Sequence, residues 1–279
     1  MTINFSRRAG LGLAAALAMP AAGRAAAPAL STPAEILRAF VRLRGALDGR
    51  IVYWWLEDVR SAIVGTKMYP LYRARIGTFL RSRQVGPDAY ALTTLETSYA
   101  VDLATDRLAP SIKNPLNGAT IETPPLVLGP HTTTLRPDGA DLPANVRGGR
   151  YEARLNTRGP VSVVGDDVLI PEDAISRVVF PDPATPPYNT SELNVYRGRL
   201  SELSDEARPF VSAWVSYQSV SAFQARHKMD GVTGHISARA VGGKVASLAE
   251  MPAAWRALAE QSHPAIIGDV PAALDRPLD

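Results

Sequence analysis

The chain changes its hydrophobic period early. Between residues 30 and 48 apolar positions recur at helical spacing, at Ile36, Leu37, Phe40, Leu43 and Leu47. Thr32-Pro33-Ala34-Glu35 supplies a cap, a proline suited to the first helical position and an acid for the first turn, and Asp48-Gly49 ends the run. From Arg50 the period becomes two. In Ile51–Glu57, Tyr53, Trp55 and Glu57 share one face and Val52, Trp54 and Leu56 the other. Both faces are largely apolar, so this strand is expected to be covered on both sides.

Further strands are expected at Gly77–Arg83 and Ala89–Thr97, with Tyr99–Leu103 continuing the latter or forming its own, before a turn at Ala104–Arg107. Residues 110–150 read as irregular, with turns at Asn114–Gly118 and Arg136–Gly139 and a short Leu126-Val127-Leu128 segment after Pro124-Pro125. A connection this long is either a functional cover or an exposed excursion. Strands resume at Tyr151–Leu155, Val161–Val164 and Val168–Ile170, with a hairpin-like turn at Gly165–Asp167. Others follow at Ile175–Phe180, Leu193–Leu200, Phe210–Val220, His235–Ala240 and Lys244–Leu248, and Gly242-Gly243 is expected to turn a hairpin between the last two. Met251–Glu260, opened by Pro252, reads as a closing helix. Many strands without repeated βαβ units predict a mainly β protein. Its form is a large antiparallel sheet curled into a barrel-like or sandwich domain, flanked by helices at both ends. A closed sheet removes its edges and gives an interior able to hold a ligand.

Residues 1–29 stand apart. Ser6-Arg7-Arg8 precedes an uncharged stretch from Ala9 to Ala22 and an alanine-rich end, the three-part layout of an export signal. Its apolar stretch falls well short of the roughly 20 residues that cross a bilayer as a helix, so no stable membrane insertion is expected. The adjacent arginines point to the twin-arginine export machinery, cleavage after Ala25 or Ala29, and a periplasmic single β-rich domain over residues 30–279. The signal also changes the charge balance. The chain carries 30 basic and 27 acidic residues, but Arg7, Arg8 and Arg24 belong to the signal, which leaves 27 of each. Without an excess of positive charge, no nucleic-acid partner is expected. No cysteine is present, so neither disulfides nor thiolate chemistry contributes.

The region from Leu37 to about Pro264 resembles a bacterial family, domain of unknown function 1838. The likeness rests on Gly45–Gly49 with Tyr53-Trp54, the Lys113–Gly118 turn, Ser191–Asn194, and Trp214–Tyr217 leading to His235. Relatives are expected to carry Thr-Gly where this chain has Asn117-Gly118. The resemblance implies a single β-rich domain and carries no activity with it.

The four histidines, His131, His227, His235 and His263, lack the spacing of a helical or strand zinc site, and no nucleophile elbow or phosphate-cradling glycine loop is present. No metal or cofactor is called for. What remains is polar groups set in apolar strands. Glu57, Glu192 and His235 are the candidate acid–base residues, because an apolar pocket would raise a carboxyl pKa toward the range useful for proton transfer. Tyr53, Trp55, Glu96, Asn194, Trp214 and Tyr217 are the candidate ligand contacts, aromatic and polar groups interleaved as in ligand cavities. The bland alternatives are solvated strand faces for the carboxylates and core packing for the tryptophans. Three functions remain open: binding of a small apolar or aromatic molecule; a cofactor-independent lyase, isomerase or hydrolase; or an envelope structural or interaction module.

Overall fold

The computed structural model describes residues 30–276, apart from 142–144, 147–148 and 184. The export-signal expectation for residues 1–29 lies outside the described residues. Thr32 caps the first helix, α1 (Pro33–Arg44), through a capping box: Glu35 N–H donates to Thr32 Oγ1 at 3.2 Å and Thr32 N–H to Glu35 Oε2 at 2.9 Å.

The strands follow in chain order as β1 (Ile51–Val64), β2 (Lys67–Gly86), β3 (Ala89–Val101), β4 (Ser111–Lys113), β5 (Thr120–Glu122), β6 (Leu126–Arg136) and β7 (Gly139–Asp141). After them come β8 (Asn145–Val146), β9 (Gly149–Arg158), β10 (Ser162–Val164), β11 (Asp167–Val179) and β12 (Tyr188–Arg199). The short helix α2 (Leu200–Ser204) precedes β13 (Ala213–Ala222) and β14 (His235–Val245), and three helices end the chain: α3 (Ala253–Ser262), α4 (Pro264–Gly268) and α5 (Val270–Leu274). The main sheet has 12 strands, ordered β7-β6-β3-β2-β1-β14-β13-β12-β11-β9-β8, with β10 beside β11. Every pairing is antiparallel, and the sheet curls into a half-barrel. β4 and β5 form a separate hairpin.

Three expectations are corrected. Leu126–Arg136 is an 11-residue strand of the main sheet, so residues 110–150 are not one irregular excursion. Val168–Ile170 and the expected Ile175–Phe180 strand, up to Val179, belong to one 13-residue strand, β11, which runs through Pro171. Gly242-Gly243 makes no hairpin, because β14 pairs without a break with β1 from His235 to Val245. Both of its neighbours carry a tryptophan at Gly243, Trp55 on β1 and Trp214 on β13, and their rings meet edge to face at 5.6 Å. The missing side chain gives those rings room.

Helix α1 crosses one end of the concave face. Phe40 and Leu43 are fully buried against Trp54, Leu80, Tyr196 and Val215. Two buried basic side chains fix this plug. Lys244 Nζ donates to the carbonyls of Arg42 and Gly45 at 2.7 and 3.0 Å, which satisfies the end of the helix, and Arg42 Nη2 reaches the Asp205 carbonyl at 2.7 Å. The two sheet ends meet near the plug, where Arg158 donates to the Arg136 and Gly139 carbonyls, its guanidinium 5.6 Å from the Phe40 ring centre. On the convex face the C-terminal helices cover β1–β3, with Trp255 packed among Phe79, Leu95 and Tyr99.

A second cap closes the other end. The Asn114–Gly118 turn leans on the segment after β13: Asn114 Nδ2 donates to the His227 carbonyl at 3.1 Å and Asn117 Nδ2 to the Lys228 carbonyl at 2.8 Å. His227 is buried, and its Nδ1 accepts from Gln224 N–H at 2.9 Å. Burial, then Arg226 and Arg60, lower its pKa from 6.5 to about 4. The neutral ring belongs to the folded state, so acid is taken up first by the unfolded chain. This stabilisation is complete above pH 6.5 and declines as pH falls through 6.5 toward about 4. Urea unfolding should show a loss of up to about 3 kcal/mol across that window. The His227→Gln variant should be less stable at pH 7 and lack this component; an unchanged acid slope in the variant would assign the loss to other groups.

Candidate functional site

Strand register sorts the inward-facing side chains of β11, β12, β13, β14 and β1 into rows across the sheet. Nearest the α1 plug run Ile170, Tyr196, Val215, Gly242 and Leu56. The next row is Glu172, Asn194, Tyr217, Ala240 and Asp58; then come Ala174, Glu192, Ser219, Ala238 and Arg60. The last is Ser176, Thr190, Ser221, Ile236 and Ala62. Apart from Gly242, bulky groups fill the first row. Small alanine, serine and threonine side chains dominate the last two, and the space they leave forms much of a cavity of about 1060 Å³. That size suits a drug-sized molecule.

The walls mix apolar and polar groups. Trp54, Leu56, Ile76, Leu80 and Val215 supply apolar surface, and Arg44, Arg60, Glu96, His131, Glu192 and Asn194 supply charge or hydrogen bonds. The charged groups are held in networks. Glu172 is buried at 2 % exposure and accepts from Arg44 Nη1 at 3.1 Å, Asn156 Nδ2 at 2.9 Å and Asn194 Nδ2 at 3.2 Å. Such a carboxylate is tolerated because donors surround it. Asp58 is fully buried and accepts from Arg60 Nε at 2.9 Å and Arg239 N–H at 3.1 Å. Burial, and next Glu192, push the Tyr217 hydroxyl well above its ordinary pKa. Burial likewise raises Tyr196, with Arg44 opposing. Both tyrosines stay protonated at neutral pH and can donate.

His131 reaches the cavity through a bulge. On β6, Thr94 pairs with His131 and Glu96 with Leu128, so Gly129-Pro130 stands opposite Leu95 alone. Gly129 has φ +91°, and a Cβ there would lie 2.5 Å from the Thr94 carbonyl oxygen. Only glycine fits. The extra residue brings both Leu128 and His131 to the cavity lining.

Among the sequence-selected residues, Glu96, Glu192, Asn194 and Tyr217 line the cavity. Tyr53, Trp55, Glu57 and Trp214 do not; they lie on the opposite, convex face. There Glu57 accepts from Arg75 Nε at 3.1 Å, Tyr53 packs against Phe79, and Trp214 is 57 % exposed. His235 sits at the end of β14 and lines a shallow depression with Asn189 and Val220. Glu57, Glu192 and His235 are therefore not brought together. Arg44, Arg60, Thr190 and His131 in the lining, and Glu172 behind it, are not among the residues selected as acid–base or ligand contacts from the sequence. Asp58 and Arg60 carry a usable signal, since they continue the face of Trp54 and Leu56; His131 falls in the 110–150 stretch expected to be irregular, where strand alternation is not legible.

Among the described residues, no helix is long and apolar enough to cross a membrane. The chain matches no protein-family model and no curated protein.

Proposed function

We propose that the protein binds a small molecule with an apolar or aromatic body in the half-barrel cavity, and that it does so in the periplasm after twin-arginine export. The observation that carries the binding reading is the cavity of about 1060 Å³, whose lining combines Trp54, Leu56 and Ile76 with Glu192, Asn194 and Tyr217. The export reading rests on the Arg7-Arg8 segment alone, and kinship with domain of unknown function 1838 on the motifs given above. Binding is preferred over acid–base catalysis because Glu57 and His235 lie away from Glu192.

Full-length protein purified gently and sprayed under native conditions should carry a bound organic molecule of a few hundred daltons, released on denaturation. The Ala174→Trp variant, which places a large ring in the cavity, should lose it while keeping its circular dichroism spectrum. A bound molecule retained equally by this variant would place the ligand elsewhere. Wild-type protein that carries nothing and gives no saturation transfer to aromatic fragments would remove the binding reading.

A further inference from the structure

The row farthest from the plug sets hydroxyls at directly paired positions of three neighbouring strands. Ser176 on β11 faces Thr190 on β12, and Thr190 faces Ser221 on β13. All three line the cavity. Thr190 is 9 % exposed, and its Oγ1 is buried with no hydrogen-bond partner among the described residues. A buried hydroxyl without a partner costs about 1–3 kcal/mol, which is recovered when the Thr190 side chain turns its hydroxyl to a ligand oxygen in the cavity that the residue lines.

We propose that this row is the polar anchor of the cavity and that it takes an uncharged hydroxyl of the ligand, an alcohol or a phenol, with Thr190 Oγ1 as its central contact. The inference rests on the binding reading above. Each threonine or serine hydroxyl both donates and accepts, so a ligand hydroxyl can be matched in both senses by the row. An anionic group is disfavoured there. The row itself holds no cationic side chain, and burying a carboxylate there without a paired cation costs its desolvation. The ligand body then lies toward Leu56, Ile76 and Trp54.

Ligand-observed saturation-transfer NMR on the full chain tests this with three matched probes: 2-naphthol, 2-methylnaphthalene and 2-naphthoate. Wild-type protein should bind 2-naphthol about tenfold more tightly than 2-methylnaphthalene and 2-naphthoate most weakly, as expected for one buried hydrogen bond gained and an unpaired buried anion avoided. Thr190→Val keeps the side-chain shape and removes the hydroxyl. It should abolish the preference for 2-naphthol, leave 2-methylnaphthalene binding unchanged, and melt at or above the wild-type temperature. Thr190→Ser should retain the preference. The anchor is overturned by a wild-type chain that does not distinguish the first two probes, by tightest binding of 2-naphthoate, or by a preference that survives in Thr190→Val. Failure of all three probes to bind overturns the cavity reading itself, and the wild-type comparison stands whether or not the variants fold.

Discussion

Adding a single methyl group at Gly77 should unseat the C-terminal helices from the convex face. A Cβ on Gly77 would lie 2.2 Å from the Trp255 ring, and Trp255 is 1 % exposed, wedged among Phe79, Leu95 and Tyr99. Neither side can yield easily, because Gly77 is held in register by Trp55 on one neighbour and Thr97 on the other. Gly77→Ala should lower the unfolding free energy by about 3 kcal/mol, the upper end of overpacking effects. Trp255→Ala should cost about 4 kcal/mol, since a large buried ring is lost. The two changes act on one contact and should not add. With Trp255 already truncated, Gly77→Ala should cost less than about 1 kcal/mol. Urea unfolding of the four proteins gives the cycle; additive costs would show that Trp255 is not what excludes a side chain at Gly77.

Breaking the Glu172 network should be nearly as damaging. Its carboxylate is the common acceptor for Arg44, Asn156 and Asn194, which come from α1, β9 and β12. Glu172→Met leaves an arginine and two amide donors facing an apolar group, and should lower stability by about 3 kcal/mol. The discount from a fully buried pair reflects Arg44, whose side chain is 28 % exposed and can turn toward solvent. Replacing Arg44 by Met in the same protein should restore most of the loss, because an apolar pair of similar volume carries no desolvation cost. Thermal unfolding of the single and double variants decides it: a double variant no more stable than Glu172→Met would mean that the two asparagines, not the arginine, depend on the carboxylate.

Local rules carried α1 and most strands. The capping box at Thr32–Glu35 formed as its residues require, and the alternation in Ile51–Glu57 extended into a 14-residue strand. Strand length was harder to read. β2 spans 20 residues and its alternation is blurred by arginines, which anchor to acids on the convex face: Arg75 to Glu57 and Asp106, and Arg73 to Asp106. β6 was missed because Gly129-Pro130 usually breaks a strand, whereas here it forms a bulge that the partner β3 tolerates. β14 was cut at Gly242-Gly243 because two glycines resemble a turn, and the crowding by Trp55 that requires them comes from a strand almost two hundred residues earlier.

By itself the sequence determined which side chains share a strand face: Glu57 with Tyr53 and Trp55, and Glu192 with Asn194 and Tyr196. Alternation is a property of the extended backbone, so no tertiary information is needed for it. Which face looks inward was decided only by the curl of the whole sheet. Glu57 and Glu192 have similar local surroundings, yet curvature sends the first to the convex side beside Arg75 and the second into the cavity. The apolar character of both β1 faces gave no direction, because α1 covers one and the C-terminal helices contribute to covering the other. The row Ser176, Thr190 and Ser221 depended on tertiary structure still more completely. Its members are ordinary polar residues in sequence, and register across three strands, set by every pairing between them, is what places them side by side at the cavity.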